Sequence, residues 1–244
     1  MKSLKTKFPG LEFDEPTHTY KVDGEVYPSV SSLISNFYKP FDFEGVAQGY
    51  ARKHGFAVEE VMQAWRGENL ESTDKGTAVH LFGENYAKHR YFGIGDKPTV
   101  PNKQALGIIQ YYSDLPDYIE VVDLELQMYS KKYAYCGTAD HVFYNHKHDY
   151  FIISDTKTNK SLTSDYNTDP VFHLPTELGV LQDNYGKYTI QLGFYQILLE
   201  EAGVDVGSRV LVWLQEQEDK KLYKAYKTKD VTRYLRSWLE ERNY

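Results

Sequence analysis

One cysteine, Cys136, stands among 244 residues. A lone thiol excludes an intramolecular disulfide and a cysteine-built zinc cluster, and it suits a reducing compartment. No run approaches the roughly 18 consecutive apolar residues that span a bilayer, so no membrane partner is expected. The opening "MKSLKTKFPG" is basic but lacks an apolar core, so it does not read as a secretory leader, and it is too short and arginine-poor for a transit peptide. The expected location is cytoplasmic. Neither a Gly/Ser linker, a low-complexity tract nor an internal repeat divides the chain, and one domain over 1–244 is expected. The phosphate-cradling loop Gly-x-x-x-x-Gly-Lys-Ser/Thr is also missing, so the chain is not expected to be a helicase.

What is present is an ordinary globular composition, 41% hydrophobic and 26% charged, with 22 tyrosines. The net charge of −7 argues mildly against a chain coated in nucleic acid. The charge is uneven, because Lys220 to Arg236 holds seven basic residues and one acid. This segment is either a path for a polyanion or a solvated strand and helix face.

Residues 1–115 read as mostly helical after a small hairpin turning at Asp23-Gly24. A helix starts near Pro28-Ser29, with Ser29 as its cap. Helices over 43–55 and 57–67 are expected to stop at Gly55 and Gly67, and another, capped near 72–74, runs to about 93. A further helix covers 103–115. The pattern then turns to β-branched and aromatic residues, predicting strands over 118–130, 133–145 and 149–158, the last two joined by a tight turn at His146–Asp149. A polar excursion over 159–187 precedes a helix at 188–203, strands at 209–217 and 220–227, and an amphipathic helix at 230–241. The fold class is α/β, a mixed central sheet flanked by helices, with an N-terminal helical region beside a sheet core over about 116–244.

Four signals bear chemistry: Gly76-Thr-Ala-Val-His80 on a helix, Glu125 on a strand, Cys136-Gly-Thr-Ala-Asp140 on the next strand, and Asp155-Thr156-Lys157 followed by Gln191-x-x-x-Tyr195. Singly, each has an ordinary explanation. Together, Asp140 and Asp155 on neighbouring antiparallel strands can bring two hard oxygen ligands to one point, which suits Mg²⁺ or Mn²⁺. His80 can complete the shell. Lys157 follows Asp155 by two residues and so shares its face. A cation and an ammonium so placed form a reasonable machine for phosphodiester hydrolysis.

This ordered set resembles the PD-(D/E)XK nucleases of the RecB-like branch, and within it the mitochondrial genome maintenance exonucleases and their phage-encoded relatives. The "YPSVSSLI" stretch at 27–34 has a counterpart there, and the likeness covers about residues 15–200. It implies a restriction-endonuclease-like core acting as an exonuclease on single-stranded DNA or DNA ends, in replication, recombination or repair. A helicase, recombinase or single-strand-binding protein is an implied partner, and the host cytoplasm an implied location if the chain is phage-encoded. Carried over by position, the likeness makes His80, Asp140, Asp155 and the Thr156 carbonyl metal ligands and Lys157 the catalytic lysine. Glu125 stands at the edge of the site as a metal or water ligand or an aid to Lys157. Gln191 and Tyr195 support the site and touch the substrate, as does Lys160. Tyr27, Ser29 and Ser31 become phosphate contacts at a helix N-terminus. The iron–sulfur cluster of some relatives needs four cysteines and is not expected here. The stretch 161–187 is longer than the family needs, and is either a substrate-gating loop or an insertion. An RNA-directed or endonucleolytic enzyme, or a non-catalytic binding protein on the same fold, remain the alternatives.

Overall fold

A computed structural model describes residues 2–164, 167–215 and 221–242. Strand β1 (Leu11–Asp14), β2 (Thr19–Val22) and β3 (Glu25–Tyr27) form a small antiparallel sheet. The β2–β3 turn is the expected Asp23-Gly24, and both residues take positive φ, 52° and 87°, as such a turn demands. Strand β1 was not foreseen, and it makes the N-terminal region less helical than expected. A four-residue run carries too little pattern, and β2 supplies its pairing.

Ser29 caps helix α1 (Val30–Ile34) by accepting the Ser32 N–H at 3.2 Å. Helix α2 (Phe43–His54) ends at Gly55 in the left-handed conformation, as expected. Helix α3 (Val58–Ala87) departs from expectation, running unbroken through Gly67 and 72–74. An exposed mid-helix glycine costs only about 1 kcal/mol, which good helix formers on both sides outweigh. Thr73, read as part of a cap, instead folds its hydroxyl back to the Asn69 carbonyl at 2.9 Å. Helix α4 is Lys103–Ser113.

The main sheet has five strands in the order β4-β5-β6-β7-β8. Strands β4 (Ile119–Ser130), β5 (Tyr135–Asn145) and β6 (Tyr150–Lys157) pair antiparallel, β7 (Val206–Leu214) lies parallel to β6, and β8 (Tyr223–Lys227) returns antiparallel. This is a mixed α/β architecture. The sequence-expected strand ends at 216–217 and 220 lie outside the described residues. Helix α5 (Asn184–Glu201) bridges β6 to β7 and is buried along most of its length; α6 (Thr232–Arg242) packs beside it.

Alternation along the strands sends side chains to two cores. Ile153 and Leu211 meet α5, α6 and α1 on one side, while Phe143, Val212 and Leu214 meet α3 and α4 on the other. A sheet covered on both faces leaves its strand ends as the place where polar groups gather. The stretch 161–187 packs into the first core through Leu162, Val171, Leu174 and Val180. These four side chains wall the core there, and the Phe172 N–H ties the same stretch to the domain by donating to the Phe37 carbonyl. Among the described residues, no helix is long and apolar enough to cross a membrane.

Candidate active site

The β5–β6 ladder runs from Asn145–Tyr150 to His141–Ser154 and stops. The next pair in that register is Asp140 with Asp155. In place of a ladder bond there, the Thr156 N–H donates to Asp140 Oδ2 at 2.8 Å. Thus Thr156 enters the site through its N–H. Two strands that part at facing aspartates create a polar notch between them.

Helix α3 crosses this notch. Gly76 eases the approach: a Cβ there would stand 3.2 Å from Thr158 Oγ1, a tight contact. One turn on, His80 Nδ1 comes within 3.3 Å of Asp140 Oδ2. On β4, Leu124 pairs His141 and Leu126 pairs Ala139, so Glu125 lies opposite Asp140. Glu125 has a φ of 47°, unusual for a residue with a side chain, and this re-aims it within the strand. Ligand atoms of His80, Glu125 and Asp140 then fall within 4.8 Å of one another.

Expectation and structure differ over which carboxylates converge. Glu125, expected at the edge, belongs to the central cluster. Asp155, expected as a ligand, has instead turned to Lys157, with Nζ 2.6 Å from Oδ2. The carboxyl of Asp155 is 1% exposed, and its oxygens have no hydrogen bond of good angular geometry among the described residues. Mutual repulsion explains the sorting: with Asp140 and Glu125 at one point, a third carboxylate is better placed against an ammonium.

The electrostatics are those of crowded acids. Burial pushes Glu125 up, and Asp140 adds to it, to about 8. Burial and then Asp140 raise Asp155 to about 6. Burial also works against Asp140, but His80 and Lys157 outweigh it and hold this carboxyl below its usual range. His80 is the converse: burial opposes its charge, yet Asp140 leaves its pKa raised. Burial depresses Lys157 as well, but Asp155 and Asp140 outweigh it, so this lysine stays charged. Hard carboxylate oxygens beside one imidazole, one of them with its pKa raised by burial and then by Asp140, are a donor set that a divalent cation fits and relieves.

A cleft of about 200 Å³ opens beside the cluster. Ser29, Ser31, Glu125, Asp140, Gln191 and Tyr195 line it, joining six sequence-expected residues. His18, Tyr20 and Thr138 line it too and were not foreseen. Tyr20 and Thr138 share a hydrogen bond of 2.8 Å across the two sheets. The sequence signal for Thr138 lay inside Gly137-Thr-Ala-Asp140; His18 and Tyr20 carried none, because they arrive from a separate sheet. Gln191 donates to the Tyr195 hydroxyl at 2.7 Å, and the Tyr195 ring rests on Gly137, where a Cβ would clash at 2.7 Å.

Three expected contacts stand differently. Ser29 spends its oxygen on the α1 cap, and a five-residue helix presents no N-terminal anion site. Tyr27 packs against the Tyr20–Val22–Cys136 cluster. Lys160 lines two clefts with Asn159 and Ser72, neither of which His80, Glu125 or Asp140 lines, and so it does not meet the cluster. In the basic segment, Arg236 is held by Glu200 and Glu201, and Lys229 donates to the Leu178 carbonyl; Lys220 lies outside the described residues.

His141, next to Asp140, faces the opposite core, stacked on Phe143 and edge-on to Tyr112. Burial lowers its pKa from 6.5 to about 4. Between those values the unfolded chain takes up a proton that the folded chain refuses, so stability falls as pH drops from 6.5 toward 4. The loss amounts to about 2–3 kcal/mol. Urea unfolding at pH 7 and pH 4.5 should show His141→Phe losing less stability than the parent over this interval. An equal loss in both would assign the acid sensitivity elsewhere.

No protein-family model matches the chain, and no curated protein matches its sequence.

Proposed function

We propose that this chain is a divalent-cation-dependent nuclease with a restriction-endonuclease-like core, hydrolysing phosphodiester bonds of DNA, most of all in single strands or at ends. The observation that carries the reading is the meeting of His80, Glu125 and Asp140 beside the buried Asp155–Lys157 pair, at the point where β5 and β6 part. His80, Glu125 and Asp140 would hold Mg²⁺ or Mn²⁺, with Asp155 next to them. Bound there, the cation lowers the pKa of water and neutralises charge developing on phosphate oxygens.

The protein's own groups supply the rest. Lys157 is a permanently charged donor, suited to orienting the attacking water and steadying a phosphate oxygen; it is not a base. The Thr156 N–H and His80 hold Asp140 in one rotamer. The cleft beside the cluster offers the Ser31, Tyr20 and Thr138 hydroxyls and the Gln191 amide to a sugar–phosphate chain. Its polar lining suits a backbone recognised without regard to sequence.

The test is digestion of end-labelled single- and double-stranded DNA, and of circular single strands, with Mg²⁺, Mn²⁺ or chelator. The expected result is metal-dependent loss of linear single strands with the circle spared. Cutting of the circle would make it an endonuclease, cutting of RNA alone would reassign the substrate, and no hydrolysis with either metal would overturn the reading.

A further inference from the structure

Helix α5 presents Tyr188, Gln191 and Tyr195 at spacings of three and four, one stripe directed at the site. Gln191 and Tyr195 were expected near the site; Tyr188 was not. Its ring lies under Lys157, with Nζ 4.8 Å from the ring centroid. The ring is 7% exposed. Its hydroxyl donates to Asn159 Oδ1 at 2.6 Å, and Asn159 is itself fixed, since the Trp213 indole N–H donates to its carbonyl at 2.7 Å. Gln104 donates to the carbonyl of the intervening Thr158 at 3.1 Å. The two residues beyond Lys157 are therefore stapled, and the buried packing of Tyr188 sets its aromatic face against the ammonium.

This matters because the only carboxylate within ion-pair reach of Lys157, among the described residues, is Asp155. An ammonium held on one side alone swings about that contact on a flexible four-carbon stem. A ring face attracts a cation through its quadrupole and does so without occupying an N–H donor in a strong hydrogen bond. Asp155 and Tyr188 together restrain Nζ and leave a donor for a third partner. We propose that Tyr188 is a positioning residue: it clamps Lys157 against Asp155 so that the remaining donor faces the scissile phosphate. The inference rests on the nuclease reading for its consequence, but the clamp itself is measurable without turnover.

Two variants separate the clamp from mere packing. Tyr188→Phe keeps the ring face and loses the Asn159 bond; Tyr188→Leu keeps an apolar side chain and loses the face. Steady-state hydrolysis should show Tyr188→Leu with kcat down about tenfold, since misplacing a catalytic group by a fraction of an ångström costs rate. KM should stay within about twofold, because ground-state binding is untouched. Tyr188→Phe should keep most of the rate. In chelator, acylation of Lys157 by an amine-reactive acetyl ester, read by mass spectrometry against an exposed reference lysine, should be several-fold faster in Tyr188→Leu and near parental in Tyr188→Phe. Parental kcat and parental acylation in Tyr188→Leu would overturn the proposal. So would equal impairment of both variants, which would place the role in the hydroxyl. If the parent hydrolyses nothing, the nuclease reading fails; an acylation difference would then still establish the clamp, and its absence would refute it.

Discussion

Lys157→Ala is expected to lower the rate of hydrolysis by at least about a hundredfold, the usual cost of removing one preorganised charged donor from a transition state. KM should change far less. Lys157 keeps its proton at working pH, because Asp155 and Asp140 outweigh the effect of burial and hold it charged. Its loss is therefore the loss of a fixed positive charge, and Arg should not restore it: a planar guanidinium fork does not reproduce a compact ammonium held 2.6 Å from Asp155 Oδ2 and 4.8 Å from the Tyr188 ring centroid. Folding has to be followed in the same experiment. Removing one partner of a buried pair leaves the other charge uncompensated, at about 3–5 kcal/mol in full. Asp155 moderates this, since burial and Asp140 already raise it to about 6 and a proton can replace the lysine. The double variant Asp155→Asn, Lys157→Met removes both charges and should melt above Lys157→Ala while remaining inactive. Activity near the parental level in Lys157→Ala, with the fold intact, would remove this lysine from the mechanism.

Asp140→Asn should weaken Mn²⁺ binding by about a hundredfold or more, given that even outer partners of metal ligands cost 10–100-fold when lost. Asp140 is the junction of the site: one oxygen accepts the Thr156 N–H at 2.8 Å and lies 3.3 Å from His80 Nδ1. Asn keeps an acceptor for that N–H, so the parting of β5 and β6 survives. It also removes the charge that, after burial, most raises Glu125. The cation-free variant should therefore fold well, and the deficit should appear only with metal. Calorimetric titration and melting with and without Mn²⁺ give two independent readings, because a ligand stabilises the folded state in proportion to its saturation. Mn²⁺ should raise the parent's Tm and leave that of Asp140→Asn nearly unchanged. Equal stabilisation of both would place the cation elsewhere. A parent that binds no divalent cation but still binds DNA would favour a non-catalytic binding module.

The sequence by itself determined most elements from about 100 onward. β-branched alternation marks β4, β5 and β6, and the turn at 146–149 has the composition such turns require; these are local signals, and local energies decide them. It also placed His80, Asp140, Asp155 and Lys157 in an order that resembles one chemistry. Local signals misjudged Gly67, because one glycine's cost is small against thirty residues of helix. They were silent on β1, whose pairing energy comes from β2.

Only the tertiary structure decided which side chains meet. The inward turn of Glu125 depends on a positive φ within a paired strand, and its partner Asp140 lies fifteen residues away. Asp155 pairs with Lys157 beside Asp140 and Glu125, and this crowding of acids is a fact about proximity that no single segment contains. His18 and Tyr20 reach the cleft from the separate N-terminal sheet, and Tyr188 reaches Lys157 from α5. Spacing along a chain fixes which face a residue takes on its own element. Convergence of several elements on one point is set by register, crossing and repulsion between segments distant in sequence.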